Sequence, residues 1–175
     1  MTEKELIKAC KKGKLEAQEL LYRRYSAKLF GVCLRYASSY QEAEDFLQEG
    51  FIRIYDKIYK YQPTGSFAAW LHRLMINVAL EHIRRNKKRK NQTNLDQAFY
   101  VADESEDVFS SFGARDIMLM VQRLPDGYRA VFNLYVVEGY SHKEISELLG
   151  MSESTSKSQL SRAKATLRNL LETIV

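Results

Sequence analysis

Apolar residues recur every three or four positions along most of this chain, and that spacing constrains its fold more than any other feature. Side chains spaced in this way share one face of an α-helix, whereas a half-buried strand needs strict alternation. Glycine and proline, which interrupt helices, are scarce, with eight and two among 175 residues. We therefore predict an all-α fold. The clearest apolar series is Ala17, Leu21, Tyr25, Leu29, Val32 and Tyr36. Ser39 with Glu42 is a capping signature for the next helix, and further apolar series include Phe46 and Ile54, then Leu71, and later Val131, Phe132 and Tyr135.

The helical pattern is lost over one long stretch in the middle of the chain. After Ile83 the sequence runs into RRNKKRK and then into a polar, acid-containing segment without a sustained period. Periodicity returns at Ile117. Segments of this kind usually connect domains. We predict two helical domains, residues 1–90 and 113–175, joined by a linker at residues 91–112.

Composition narrows the classes of function. Lys and Arg outnumber Asp and Glu by 27 to 22, giving a formal net charge of +5 that favours a polyanionic partner. The two cysteines, Cys10 and Cys33, lie on apolar helical faces without the paired spacing of zinc or redox motifs, so we expect buried free thiols. No stretch is apolar enough to span a bilayer or to act as a signal peptide, so we expect a cytoplasmic protein without membrane insertion.

Residues with catalytic or metal-binding patterns are also missing from the sequence. No histidine has a second histidine or a cysteine at ligand spacing, so neither a metal site nor a cofactor is expected. No set of nucleophile, base and orienting group is recognisable. We therefore predict no catalytic residues and a protein that is not an enzyme.

The stretch YSHKEISELLGMSESTSKSQLSRAK, residues 140–164, has the pattern of a helix-turn-helix. Ser141 and Ser152 are candidate N-caps, and Gly150 stands where a helix end favours a left-handed residue. The second helix has small residues on its outer face, flanked by cations that can bind phosphates. A solvated helical hairpin is the alternative. The outer face comprises Ser154, Ser158, Ser161 and Ala165 with Lys157 and Arg162, and the inner stripe comprises Leu160, Ala163, Leu167, Leu170 and Ile174.

The segment LPDGYRAVFNLYVVEGYSHKEISELLGMSESTSKSQLSRAKATL resembles the C-terminal promoter-binding domain of bacterial RNA polymerase sigma factors. Ser156 departs from the family, which usually has valine there, and its hydroxyl needs a partner if it is buried. Gln159 replaces a frequent arginine, and we expect it to project sideways, where adenine readout becomes possible. The resemblance implies minus-35 contacts by Ser154, Lys157, Ser158, Gln159, Ser161 and Arg162. A response regulator would carry a similar domain.

The helix containing EAEDFLQEGFIRIYDKI presents an acidic face with one apolar residue, Ile52, which suits a basic protein partner. A solvated face is again the alternative. Within it, DFLQEG, residues 45–50, resembles the sigma-factor segment that docks on the clamp helices of the largest catalytic subunit of RNA polymerase. The resemblance implies polymerase contacts by Asp45, Gln48 and Glu49, with Ile52 as the apolar contact.

Further along, SFAAWLHRLMINVALEHIRRNKK resembles the sigma-factor helix that melts and reads the minus-10 element, and the loop from Tyr61 to Ser66 resembles the loop that holds a flipped base. We expect Tyr59 and Tyr61 to be accessible for stacking and Trp70 to belong first to the core. Basic side chains along one stripe would follow a phosphate backbone. The minus-10 candidates are Tyr61, Arg73, Asn77, Arg84, Arg85 and Lys88.

Both halves together resemble an extracytoplasmic-function (ECF) RNA polymerase sigma factor of the sigma-70 family. The resemblance implies a factor that binds core RNA polymerase and directs it to promoter DNA, and an anti-sigma factor is implied by resemblance alone. One alternative is a helix-turn-helix regulator that acts without polymerase. Another is a DNA-processing enzyme such as a recombinase, which would need an N-terminal catalytic domain, usually with strands.

Overall fold

The computed structural model describes residues 1–91 and 113–173. Every regular element in these residues is helical, so the all-α prediction is confirmed. The chain forms two compact units, Met1–Ala79 and Leu80–Val175, so the boundary between units falls inside a helix. Residues 92–112 of the predicted linker, and Ile174 of the predicted inner stripe, lie outside the described residues.

Unit 1 is a bundle in which α2 packs against α1 and α3. Its core contains the predicted apolar series, including Leu21, Phe46, Ile54 and Leu71, all fully buried. Ser39 caps α3 by accepting a hydrogen bond from the backbone of Glu42. The helices are α1 (Glu3–Lys11), α2 (Leu15–Tyr36), α3 (Tyr40–Lys57) and α4 (Phe67–Asn91), with a 3₁₀ turn at Ile58–Lys60 between α3 and α4.

Helix α1 begins with a complete capping box. Thr2 Oγ1 accepts a hydrogen bond from the Glu5 backbone, and the Glu5 carboxylate accepts one from the Thr2 backbone at 2.8 Å. The hydrogen bond from the Thr2 backbone lowers the pKa of Glu5. Two orphan amides at the helix start are thus satisfied by its own side chains, and Leu6 is buried one residue later.

The end of the Met75 side chain on α4 lies against Gly50 of α3. A Cβ placed on Gly50 would lie 2.3 Å from Sδ of Met75, a side chain that is fully buried. A contact that short cannot exist, so any larger residue at position 50 must displace Met75. Glycine at position 50 therefore leaves the space that the end of the Met75 side chain occupies.

The cysteines match the sequence prediction of buried free thiols. Burial raises the pKa of Cys33 to about 12, which keeps the thiol protonated at neutral pH. Within residues 1–91 and 113–173, no helix is both long and apolar enough to cross a membrane. The same residues contain no group of three histidine, cysteine or acidic side chains placed to hold a metal ion.

Unit 2 is built around its last helix, α8, which packs against α5, α6 and α7. The predicted inner residues Leu160, Ala163 and Leu167 are buried, but Ala165, predicted on the outer face, is buried as well. The packed surface of α8 is therefore wider than the predicted stripe. The elements are α5 (Ala114–Gln122), α6 (Asp126–Phe132), a π-helical turn at Asn133–Val137, α7 (His142–Leu149) and α8 (Glu153–Glu172).

A buried arginine closes the corner between α5 and α6. Arg129 is 1% exposed, and its guanidinium donates to the backbone oxygens of Leu124 at 2.6 Å and Gln122 at 3.2 Å. It also pairs with the carboxylate of Asp126. Gln122 is the last residue of α5 and Leu124 lies in the turn that follows, so Arg129 supplies donors to carbonyls that the helix leaves without partners. Sequence reasoning assigned this residue no role.

Candidate nucleic-acid and protein interfaces

The outer face of α3 carries the residues that the sequence predicted for polymerase binding. Asp45 and Gln48 are exposed, and Ile52 is 60% exposed. Glu49 lies between them but is half-buried and forms an ion pair with Arg53 one turn on. The positions follow the spacing of one helix face, opposite the buried side of α3. Asp56, one turn beyond Ile52, is exposed as well, so acidic side chains lie on both sides of an exposed apolar residue.

A groove between α2 and α3 borders this acidic face. Two of its aromatic residues are unusually exposed, Tyr22 at 44% and Tyr40 at 63%. The tyrosine rings rest on Phe51 and Phe30, at centroid distances of 4.6 and 5.1 Å. Sequence reasoning missed this groove, because Tyr22 and Tyr40 lie outside the regular apolar series. Its lining comprises Tyr22, Ser26, Ala27, Phe30, Tyr40, Glu44, Leu47 and Gln48.

The basic stripe predicted on α4 is present on the helix surface. With a rise of 1.5 Å per residue, the stripe from Arg73 to Lys88 is about 22 Å long. Closely spaced cations along such a line can follow several phosphates of one strand. The stripe residues Arg73, Asn77, Arg84, Arg85 and Lys88 are all exposed.

The expectation that Tyr61 is accessible is wrong. Tyr61 is 7% exposed, its ring contacts those of Phe67 and Trp70, and its hydroxyl donates to the Gly65 carbonyl at 2.9 Å. The side chain of Tyr61 packs on the inner side of the loop at residues 61–66, because the aromatic residues at the start of α4 provide a packing site. Tyr59 is 59% exposed, as predicted.

Trp70 is partly packed in the core and partly accessible. Its ring stacks on Phe67 at 5.7 Å and 16°, so one face is packed, yet the residue is only half-buried. Tyr59 and the open side of Trp70 are thus the aromatic surfaces available near the start of α4.

Helix α8 begins with a hydroxyl cluster in which Ser152 is the N-cap and accepts from the Thr155 backbone at 3.1 Å. Beyond it, Lys157, Ser158 and Ser161 are exposed, while Arg162 is half-buried. Ser158 donates its hydroxyl proton to the Thr155 carbonyl, leaving its oxygen free to accept. Ser154 is exposed too and lies 3.0 Å from Ser152 Oγ. These residues form the polar and basic outer face of the second helix.

Gln159 does not project to the side as expected. It is half-buried, its Oε1 is enclosed, and a Cβ on Gly127 would lie 3.0 Å from that atom. Gln159 therefore packs against the start of α6, where Gly127 leaves room for it. In this position its amide is not available to read an adenine edge, so its proposed base contact has no geometric support.

The two helices of the helix-turn-helix are tied together by a polar contact. Ser156 is fully buried, and its Oγ lies 2.8 Å from Nδ1 of His142, the first residue of α7. The expectation that a buried Ser156 hydroxyl needs a partner is thus confirmed. The His142 ring also stacks on Tyr135 at 4.5 Å and 19°. Partial burial, and then the charge of Lys157, lower the pKa of His142 below its ordinary 6.5.

The ends of α7 follow the sequence signals. Ser141 and Glu144 form a complete capping box, and the hydrogen bond from the Ser141 backbone lowers the pKa of Glu144. Gly150 ends the helix in the left-handed conformation with φ of 65°. Only glycine adopts that conformation without strain, so the turn between α7 and α8 has the predicted form.

Comparison with known proteins identifies the family that has this arrangement. The family model for sigma-70 region 2 matches residues 21–89, and that for sigma-70 region 4 matches residues 114–167. The ECF RNA polymerase sigma factor SigW of Bacillus subtilis is 30% identical over 96% of this chain and 96% of its own length. This chain belongs to the ECF sigma factors of the sigma-70 family.

Other relatives agree. RNA polymerase sigma-H factor of Pseudomonas aeruginosa is 27% identical over 99% of this chain and 95% of its own length. The ECF sigma factor SigE of Mycolicibacterium smegmatis is 31% identical, and the alignment spans 60% of that longer protein. The sigma factor RpoE of Bartonella quintana, solved with the anti-sigma factor NepR, shares the fold with a TM-score of 0.53 and 20% identity, over 88% of this chain and 96% of that one.

Family membership decides between the functions that the sequence left open. A sigma factor directs promoter-specific transcription initiation and is not an enzyme, so the DNA-processing alternative is excluded. The match to region 2 also disfavours a helix-turn-helix regulator that acts without polymerase, since such a regulator needs no region 2.

Proposed function

We propose that this sigma factor binds core RNA polymerase through the outer face of α3, contacts the minus-10 element through α4, and contacts the minus-35 element through α8. The observation that carries the proposal is the separation of charge among the described surfaces. The outer face of α3 has exposed Asp45 and Asp56 on either side of exposed Ile52, whereas the exposed stripe of α4 is basic. A protein partner and a polyanion can therefore bind at the same time without competing for one surface.

The face of α3 suits a basic protein surface. Asp45 and Gln48 are free to meet partner side chains, and Ile52 supplies apolar area that is lost from water on binding. Glu49 contributes less as a charge than the sequence suggested, because Arg53 already pairs with it. The exposed tyrosines of the neighbouring groove, Tyr22 and Tyr40, extend the surface with aromatic contacts.

Strand opening on α4 would be driven by binding alone. The cations of α4 neutralise phosphates, and each base that stacks on an aromatic ring contributes about 1 to 3 kcal/mol. Tyr59 and Trp70 replace Tyr61 in this role, since their rings are exposed or half-exposed. Captured bases and neutralised phosphates together offset the base pairing that is lost.

On α8, Lys157 and Ser158 are the exposed side chains best placed for the minus-35 element, with Ser161 one turn further on. Small hydroxyl side chains let the helix approach base edges, while Lys157 and half-buried Arg162 supply phosphate contacts. Because Gln159 is packed inward, discrimination rests on the serine hydroxyls.

The chain is proposed to act in the cytoplasm and to be regulated by an anti-sigma factor. The Bartonella quintana sigma factor with the same fold was solved with such a partner. Exposed Ile52 and the aromatic groove between α2 and α3 offer apolar surface that an inhibitor would cover in competition with polymerase.

The polymerase-binding proposal is tested with Asp45→Lys. Charge reversal at this exposed site should lower the affinity for core RNA polymerase at least tenfold and reduce run-off transcription in parallel, because it opposes a basic partner without disturbing the core. Glu16→Lys, an equal charge change at an exposed position of α2, is the matched control. Equal polymerase affinity of the two variants would contradict the assignment of α3.

A further inference from the structure

The side chain of His142 is held on two sides. Its Nδ1 bonds the fully buried hydroxyl of Ser156 at 2.8 Å, and its ring lies nearly parallel to that of Tyr135. A ring with one nitrogen bonded and one face stacked has little rotational freedom. The orientation of the imidazole is therefore fixed before any ligand arrives.

The second ring nitrogen remains open. Within the part of the chain that the structure describes, Nε2 of His142 makes no hydrogen bond to protein, and it is not among the enclosed polar atoms. A nitrogen that is accessible and already oriented can meet an incoming acceptor without first breaking a protein contact.

The charged groups around the ring place it beside the DNA-binding face of α8. Lys157 and Lys164 of α8 act against its protonation, and Glu153 at the start of α8 favours it. From the π-helical turn it faces the aromatic ring of Tyr135. On α7 itself the adjacent groups are Lys143 and Glu144, whose carboxylate is already engaged by Ser141. Exposed Lys157 directly follows Ser156, so His142 borders the candidate phosphate contact.

We infer that His142 is a DNA-contacting residue of the helix-turn-helix: Ser156 and Tyr135 orient its ring so that Nε2 donates to a backbone phosphate. The inference rests on the proposed role of α8 in DNA binding. In a helix-turn-helix the first helix crosses the DNA backbone, and a helix start is a common phosphate contact. The contact strengthens when the ring takes up a proton from solvent, because a cation then meets the phosphate while Nδ1–H donates to Ser156 Oγ.

Protonation of the His142 ring therefore makes the sequence-independent part of the affinity for DNA depend on pH. In the free protein, burial and the charge of Lys157 lower the pKa of the ring and so favour its neutral form. A phosphate within hydrogen-bond distance favours the charged form, so DNA binding and proton uptake are linked. Affinity for DNA should rise as the pH falls, with the added affinity sensitive to salt.

The full chain and a generic DNA duplex suffice for the test, since a phosphate contact reads no bases. The slope of log Kd against log salt concentration should be steeper by about 0.9 at about pH 6 than at about pH 8. His142→Gln should have the same slope at both pH values, while His72→Gln, which removes a half-buried histidine of α4, should behave as wild type. His142→Asn, whose amide still reaches Ser156, serves if the glutamine variant does not fold.

Ser156→Val separates positioning from simple charge, because it keeps the histidine and removes its partner. The pH-dependent increment should shrink, whereas a merely structural role would change only the thermal midpoint. An unchanged increment in His142→Gln, or no increment in wild type, would overturn the inference. Lys157→Ala distinguishes the two proposals. If it lowers the salt slope at both pH values while His142→Gln keeps the pH-dependent increment, only the role of His142 is excluded. If Lys157→Ala leaves the salt slope unchanged, the DNA-binding role of α8 is excluded instead.

Discussion

Single residues in this protein show how a side chain can serve the fold where its type suggests a surface role. Arg129 is the clearest case, because its guanidinium is buried and occupied by two backbone carbonyls and Asp126. Arginine is rarely enclosed unless every donor group has a task. The corner between α5 and α6 therefore depends on one side chain that cannot be replaced by another cation of different shape.

Replacing Arg129 by methionine should destabilise this corner by about 1 to 3 kcal/mol, because it leaves the backbone carbonyls of Gln122 and Leu124 without their donor and removes one partner of half-buried Asp126. Amide hydrogen exchange across α5 and α6 measures the loss locally. Arg115→Met, at an exposed position of α5, is the matched control and should stay within about 0.5 kcal/mol of wild type. Similar exchange in both variants would show that the buried contacts contribute little.

The residues that sequence reasoning placed wrongly share a physical cause. Tyr61 was expected to be accessible for base stacking, but Phe67 and Trp70 provide a packing site that only the folded loop creates. Gln159 was expected to project sideways, yet the space above Gly127 lets it fold inward. Helical projection indicates the direction of a residue along its own helix, but it contains no information about the neighbouring element.

At the scale of helices, the sequence signals were most reliable where a local motif sets the boundary. The N-caps at Ser39, Ser141 and Ser152 and the left-handed end at Gly150 all lie where the sequence predicts them. The same kind of signal, Thr2 with Glu5, also marked the start of α1, although sequence reasoning did not use it.

Periodicity failed where the helix type changes. Tyr135 belongs to a predicted apolar series that continues from Phe132, but it is 39% exposed. The π-helical turn at Asn133–Val137 adds a residue to the turn and shifts the phase of all side chains after it. That shift brings Tyr135 under the ring of His142, so the surface of the helix-turn-helix depends on a feature that spacing alone cannot reveal.

Two glycines inside helices should respond oppositely to alanine. Gly31 in α2 has open space around its Cβ position, so Gly31→Ala should raise the free energy of unfolding by about 0.5 to 1 kcal/mol. Gly50→Ala has the same propensity gain but forces Met75 to move inside the core, so we expect a net loss of about 1 kcal/mol. Denaturant unfolding followed by fluorescence of the single tryptophan, Trp70, reports on this unit. An equal gain at both positions would contradict a tight contact between position 50 and the Met75 side chain.

For the whole molecule, the position of charge is expected to matter more than its total. The formal net charge of +5 is modest, but a stripe of exposed basic side chains lies on α4. Asp45 and Asp56 lie on the outer face of α3, a different helix. If the same charges were spread uniformly, no surface would favour DNA over polymerase or polymerase over DNA.

The double variant Arg84→Gln with Lys88→Gln should lower the salt slope of DNA binding by about 1.8, since two phosphate contacts are lost. Lys4→Gln with Lys8→Gln removes the same charge from exposed positions of α1 and should leave the slope near that of wild type. Fluorescence anisotropy with a generic duplex measures both. Equal slopes for the two double variants would mean that only net charge acts.

The hydrogen bond between His142 and Ser156 has an evolutionary consequence. Because the hydroxyl is enclosed, neither residue can change alone without leaving a polar atom unpaired inside the helix-turn-helix. The two positions should therefore covary among homologues, with an aliphatic residue at position 156 accompanied by a side chain at position 142 that needs no buried partner. Lineages that keep both residues would then inherit them together, along with the pH dependence of DNA binding.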